Sequence, residues 1–205
     1  MIEHLFRAQA MLERIPLEYA EIYYLPKLPL VQPIEAIMNR LIDEVPWRAE
    51  NIVVWGKTVP QPRLIAWYGD QEAHYTYSGI RHDPLPWTDG LMEIKSRVEK
   101  VADTNFNSVL LNYYRHHRDS MGLHSDDEPE LGRRPIIASL SLGEERTFVF
   151  KHKTRKDVKS VRLKLASGSL LLMKGDTQHC WKHAIEKEKA PCGPRINLTF
   201  RRICS

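Results

Sequence analysis

The chain has 205 residues, 42% hydrophobic and 27% charged, which suits one domain with a full core and excludes wholesale disorder. Its net charge of +4 and pI near 8.9 are compatible with a polyanionic partner without requiring one. Cys180, Cys192 and Cys204 form no CxxC or zinc spacing, which excludes a structural zinc protein and points to a reducing intracellular compartment.

In chain order, the charges within "MIEHLFRAQA" argue against a secretory signal, and no apolar run approaches a membrane span. "IEHLFRAQAMLERIP" reads as a short amphipathic helix ended by Pro16. "AEIYYLP" reads as a strand. "QPIEAIMNRLIDEVPW" reads as a helix, with Pro33 suited to a first helical position, a stripe of Ile34, Ile37, Leu41, Ile42 and Val45, and Pro46 as its stop. "IVVWGKTVPQPRLIAWYGD" and "HYTYSG" read as strands with turns at Gly56, the prolines and Gly69–Asp70. "TDGLMEIKSRVEKVAD" is a second helix, with Leu91, Ile94, Val98 and Val101 in phase. From Asn105 the texture changes to β-rich runs: "NFNSVLLNYYR", "PIIASLSLG", "RTFVFKHK", "SVRLKLASGSLLLM" and "PRINLTFRRI". Helices followed by a run of strands predict a mainly β (α+β) domain, a sandwich or open barrel with helices packed against it.

Two of these strands carry polar residues on one face. In "PRINLTFRR", Arg195, Asn197, Thr199 and Arg201 alternate with Ile196, Leu198 and Phe200; in "FNSVLLNYYR", Asn112 and Tyr114 share a face with Phe106 and Leu110. Such a face is either solvated or the lining of a polar pocket. In the second case two arginines about 20 Å apart along the strand converge on the two ends of a small dianion.

In "LHSDD", His124 and Asp126 point the same way on an extended segment, which supplies two thirds of a facial triad for non-haem Fe(II). "TQHCWKHAI" offers His179 and His183 as the third ligand. Both have the same strand parity, so local pattern does not choose between them. HxD, a distant histidine and two same-face arginines together suit iron with a dicarboxylate co-substrate.

With these motifs in place the sequence resembles the AlkB family of Fe(II)/2-oxoglutarate dioxygenases, which dealkylate nucleic acids. "HSDDEPELG", "PIIASLSLG", "GSLLLM" and "PRINLTFR" carry the resemblance in the family's order, and it runs from roughly Ala20 to Ile203. The resemblance implies a double-stranded β-helix (jelly-roll) core over about 106–205, with N-terminal helices and a nucleotide-recognition lid before it, as one domain acting as a monomer. It implies His124, Asp126 and His183 as iron ligands, because the family places the distal histidine twelve residues before the first arginine, and Arg195 fits that spacing. It implies Arg195 at the distal carboxylate of 2-oxoglutarate, with Asn112, Tyr114, Asn197, Thr199 and Arg201 at other co-substrate positions and Arg201 toward the metal.

The same resemblance implies that Tyr77 and His124 sandwich a flipped base, with Tyr75, Ser78 and Arg63 around it. Trp55 aligns with the apolar finger that some homologues insert into duplex DNA. Pro129 biases Glu128 to an extended conformation. Glu128, with Asp127, is then expected to face a cationic base such as 1-methyladenine or 3-methylcytosine. The implied reaction consumes O2 and 2-oxoglutarate, hydroxylates the alkyl group and releases formaldehyde and succinate. Alkylated DNA, single- or double-stranded, is the expected partner, and RNA is the variant. Lys151 to Lys159, with Lys187 and Lys189, are the basic segments available to phosphates. The rival readings are a hydroxylase of a protein or small molecule, and a non-catalytic nucleic-acid-binding module.

Overall fold

The computed structural model describes residues 11–54, 57–73, 75–77 and 80–204, with backbone alone at 52–54, 57, 75–77 and 80–82. Two antiparallel sheets dominate. The larger contains β1 (Glu13–Ile15), β2 (Glu21–Leu25), β5 (Leu64–Gly69), β8 (Ser108–Tyr114), β10 (Ile137–Gly143), β13 (Leu170–Lys174) and β15 (Arg195–Arg201), in the order β1-β2-β13-β10-β15-β8-β5. The smaller contains β9 (Met121–His124), β11 (Arg146–His152), β12 (Val161–Leu165) and β14 (Trp181–Ile185), in the order β12-β11-β14-β9. Strands exchange between the sheets along the chain, as in a double-stranded β-helix. Two hairpins stand apart: β3 (Asn51–Val54) with β4 (Lys57–Pro60), and β6 (Tyr75–Tyr77) with β7 (Ile80–His82).

Two apolar layers follow from strand alternation. Ile196, Leu198 and Phe200 of β15 pack with Val109, Leu111, Leu140 and Leu172 against two helices. These are α1 (Ile34–Glu44) and α2 (Asp89–Ala102). Helix α1 contributes Ile37 and Leu41, and α2 contributes Leu91, Ile94, Val98 and Val101. Each such fully buried side chain contributes about 1.5–3 kcal/mol. Pro33 is the residue flanking α1 rather than its first turn, and Thr88 caps α2 by accepting from the Leu91 N–H at 3.3 Å. The second layer lies between the sheets and includes Ile22, Ile137, Leu171, Phe148, Phe150 and Trp181. The polar face of β15 turns into this second layer, so all seven of its residues are buried. Of the two readings of that face, the pocket lining is the one the fold realises.

Two local expectations are corrected. Glu13–Ile15 is not helical but pairs with β2, Arg14 opposite Tyr23, so sheet pairing overrides the helical period there; residues 2–10 lie outside the described residues. "TQHCWKHAI" is not one strand: a single helical turn, α3 (Thr177–Cys180), precedes β14. Among the described residues no helix is long and apolar enough to cross a membrane.

Candidate active site

His124 ends β9 and lies directly opposite His183 of β14 in the ladder, while Asp126 follows two residues later. His124 Nε2 lies 4.0 Å from Asp126 Oδ1, and His183 Nε2 lies 3.9 Å from Asp126 Oδ2. These gaps exceed a hydrogen bond and are close to twice the 2.0–2.2 Å or so that zinc, a typical protein metal, takes to nitrogen or oxygen. His124 Nδ1 contacts the Gly122 carbonyl at 2.9 Å, which leaves Nε2 as the free lone pair. His183 stacks on Phe148, 5.2 Å between centroids and 15° between planes. His179 belongs to the helical turn, is exposed, and contacts the Arg133 carbonyl instead. The break in strand parity at α3 therefore separates the two histidines: His183 joins His124 and Asp126, and His179 does not.

Charge in the group is set by burial and by Arg201. Burial alone would raise the Asp126 carboxyl, but Arg201 and the two imidazoles outweigh it and hold it well below the usual carboxylate range. Burial pushes the His183 imidazole down to about 3, aided by His124 and opposed by Asp126. His183 is thus neutral, and the Arg201 guanidinium, whose Nη2 donates to Asp126 Oδ1 at 2.8 Å, is the cation that counts. The Asp126 backbone N–H donates to Gln178 Oε1 at 3.0 Å. Asp126 Oδ2 is buried and has no hydrogen-bond partner among the described residues.

From this group a narrow pocket runs inward between the sheets. Arg195 lies at its far end, 1% exposed, its Cζ 5.2 Å from the Tyr114 ring and its Nη2 donating to Ser141 Oγ at 2.9 Å. Its Nε and Nη1 are buried without hydrogen-bond partners among the described residues. Burial lowers its pKa to about 10, so it stays charged. Between the two ends, Asn197 Nδ2 donates to Ser139 Oγ at 2.8 Å, and Thr199 Oγ1 donates to Asn197 Oδ1 at 2.8 Å. Asn112 Oδ1 accepts from Arg63 Nε at 2.7 Å. The two arginines play different parts: Arg195 holds open donors, and Arg201 is bound to Asp126.

A second, wider cleft opens at His124 and Asp126. Glu128, Arg63, Glu50 and Gln61 line it. Glu128 is extended at ψ 143, as its Pro129 neighbour requires. Asp127 departs from expectation. One residue out of phase with Asp126 and Glu128, it turns away from the cleft and accepts from Lys153 Nζ at 2.7 Å. Tyr75 and Tyr77 sit on β6, of which the backbone is described; Trp55 and Ser78 lie outside the described residues.

The model of the 2OG-Fe(II) oxygenase superfamily matches residues 21–201. The chain belongs to this superfamily. Within it the relatives are AlkB homologues. Alpha-ketoglutarate-dependent dioxygenase alkB homolog 3 of Mus musculus is 45% identical over 175 residues, 82% of this chain and 60% of the relative. DNA oxidative demethylase ALKBH2 of Homo sapiens is 43% identical over 159 residues, 75% and 61%. ALKBH2 of Arabidopsis thaliana is 34% identical over 211 residues, 90% and 67%. The chain thus spans about three fifths of the length of the two mammalian relatives. The structure of OsALKBH1 superposes with TM-score 0.63 at 16% identity, covering 93% of this chain and 99% of that one, a likeness of fold.

The cofactors of a 2OG-Fe(II) oxygenase are Fe(II) and 2-oxoglutarate, and this chain's residues fit both. The Asp126 carboxylate, whose buried Oδ2 has no hydrogen-bond partner among the described residues, lies beside two imidazoles, a donor set suited to Fe(II). A buried, charged guanidinium with two open nitrogens suits a carboxylate.

Sequence reasoning missed Ser139, Ser141, Gln178, Gln61 and Glu50. Ser139 and Ser141 had a signal, since two serines alternate within an apolar strand. Gln178 and Gln61 had none beyond being isolated amides in apolar surroundings.

Proposed function

We propose that this chain is an Fe(II)/2-oxoglutarate-dependent dioxygenase that removes alkyl groups from the ring nitrogens of bases in DNA, with 1-methyladenine and 3-methylcytosine as substrates. The observation that carries the reading is the place of Glu128: a carboxylate on the wall of a cleft that ends at the His124–Asp126–His183 group. A base alkylated on such a nitrogen is cationic, and a carboxylate at that wall selects it over the neutral parent base. The relatives' names, one of them a DNA oxidative demethylase, support the same polymer.

His124, Asp126 and His183 would hold the iron. Arg195 would receive the far carboxylate of 2-oxoglutarate, with Tyr114 packed against it. With O2, the two cofactors supply oxidation of the alkyl carbon, 2-oxoglutarate leaving as succinate and CO2. Arg201 keeps Asp126 ionised. His124 presents Nε2 because Gly122 holds Nδ1. Glu128 accepts from the exocyclic amine and sets the alkyl group toward the metal side. Once hydroxylated, the alkyl group leaves the ring nitrogen as formaldehyde, and the ring nitrogen regains its lone pair. The base must leave the helix to enter, which costs least where alkylation already blocks pairing. The protein acts as a monomer, with its three cysteines as free thiols.

The test is mass spectrometry of a DNA oligonucleotide carrying one 1-methyladenine, incubated with protein, Fe(II), 2-oxoglutarate and oxygen. The expected result is conversion to adenine that depends on 2-oxoglutarate, is abolished by His183→Ala and survives His179→Ala. Turnover of 2-oxoglutarate to succinate with the oligonucleotide untouched would keep the oxygenase and discard this substrate.

A further inference from the structure

Gln61 faces the same cleft as Glu128 from another wall. It lies between Pro60 and Pro62, just ahead of β5, the edge strand of the larger sheet. Glu128 follows β9, the edge strand of the smaller one. Both line the cleft that also contains His124 and Asp126.

The backbone of Gln61 is fixed from both directions. Its N–H donates to the Glu50 carbonyl at 2.7 Å, and its carbonyl accepts from the Arg63 N–H at 2.9 Å. The following proline restricts it to extended conformations. The residue is only 7% exposed, and its Oε1 is buried with no hydrogen-bond partner among the described residues. Buried polar atoms are nearly always paired, and an exception calls for a reason. Here the unpaired acceptor belongs to a residue that lines a ligand cleft. An N–H donor brought by the occupant of that cleft would complete it.

We propose that Gln61 is a specificity-determining residue: its amide oxygen and the Glu128 carboxylate each accept one N–H of the exocyclic amine beside the alkylated ring nitrogen. The inference rests on the dealkylation reading above and goes beyond it. A carboxylate alone selects for positive charge. Two acceptors converging on one amine select for the amine itself. A base with a carbonyl at that position would bring a third acceptor into the same space, leaving all three desolvated and unpaired. The site then favours N-alkylated adenine and cytosine over bases alkylated beside a carbonyl.

3-Methylcytosine and 3-methyluracil differ at that one group, amine against carbonyl. The experiment measures kcat/KM on DNA oligonucleotides carrying each, for the full chain with Fe(II) and 2-oxoglutarate, and for Gln61→Leu and Gln61→Met. On 3-methylcytosine both variants should lose about fivefold or more, the worth of one hydrogen bond to a neutral acceptor. On 3-methyluracil they should lose nothing or gain, so the preference narrows. Their melting temperatures should equal or exceed that of the parent, because the amide oxygen has no hydrogen bond in the free protein to lose. Equal losses on both oligonucleotides, or an unchanged ratio, overturn the inference while dealkylation stands. A lowered melting temperature in both variants with equal losses makes Gln61 a structural residue and overturns it too. A parent protein that consumes 2-oxoglutarate but leaves both bases methylated overturns the dealkylation reading, and this inference with it.

Discussion

Gln178 holds Asp126 by its backbone: Oε1 accepts the Asp126 N–H at 3.0 Å, and both residues are buried. The one-turn helix α3 is therefore a second support for the metal-side carboxylate, alongside Arg201. Removing such an outer partner typically costs 10- to 100-fold, order of magnitude, in metal affinity. Gln178→Ala should weaken Fe(II) or Mn(II) binding by about that factor, measured by titration of the anaerobic protein. It should also lower stability by about 1–3 kcal/mol, since a buried N–H is left unpaired. Unchanged metal affinity would show that Arg201 alone positions Asp126.

Arg195 is a buried cation with no carboxylate partner among the described residues, and two of its nitrogens have no hydrogen bond. Burial of an uncompensated charge costs stability in the free protein, and an apolar residue of like volume relieves that cost. Arg195→Met should therefore raise or preserve the melting temperature without ligand. With excess 2-oxoglutarate the parent should gain melting temperature by mass action and the variant should gain none. Thermal scans with and without 2-oxoglutarate separate the two terms; equal stabilisation of parent and variant would place the carboxylate elsewhere.

Much of this site could be read before the fold was known, and what could not has physical causes. The period of two put Arg195, Asn197, Thr199 and Arg201 on one face, because strand geometry allows nothing else. It left open whether that face meets water or a pocket, since alternation is the same in both; only the second sheet above β15 decides. The choice between His179 and His183 failed locally because one helical turn resets the parity just before β14. Glu13–Ile15 carries a helical period, and its strand partner β2 is a tertiary neighbour that leaves no mark on the segment itself. Asp127 is expected beside Glu128 at a cationic base, whereas extended backbone sends adjacent side chains to opposite sides.

Asp119 is a buried carboxylate held by a single neighbouring residue. The Arg115 backbone N–H, Nε and Nη2 all donate to it, at 2.9, 2.8 and 3.1 Å. Burial would raise its carboxyl, but Arg115 outweighs that and the pKa is lowered. A carboxyl depressed in the folded state adds stability that is present above its unfolded value, near 3.9, and is lost as pH falls through the folded value. Asp119→Asn should lower the melting temperature at pH 7, and the gap to the parent should close as pH drops below about 4. Arg115 is 43% exposed, so the effect is on the order of 1 kcal/mol rather than that of a buried pair. A gap that stays constant down to pH 3 would assign the loss to packing.

Glu128 and Asp127 are adjacent carboxylates with different environments, which makes them an internal control for the cationic-base reading. Glu128 lines the cleft beside His124 and Asp126. Asp127 is paired with Lys153 Nζ at 2.7 Å and does not line it. A hydrogen bond to a charged partner is worth about 1.5–3 kcal/mol, which is roughly 10- to 100-fold in rate. Glu128→Gln should therefore cut kcat/KM on 1-methyladenine DNA by that order, while the partly exposed Asp127–Lys153 pair predicts a change under about threefold for Asp127→Asn. The charge is what matters at Glu128, so the loss should shrink on a neutral lesion such as 3-methyluracil. Equal losses from the two substitutions would mean that the acidic segment acts through its net field, and the specific contact at Glu128 would have to be given up.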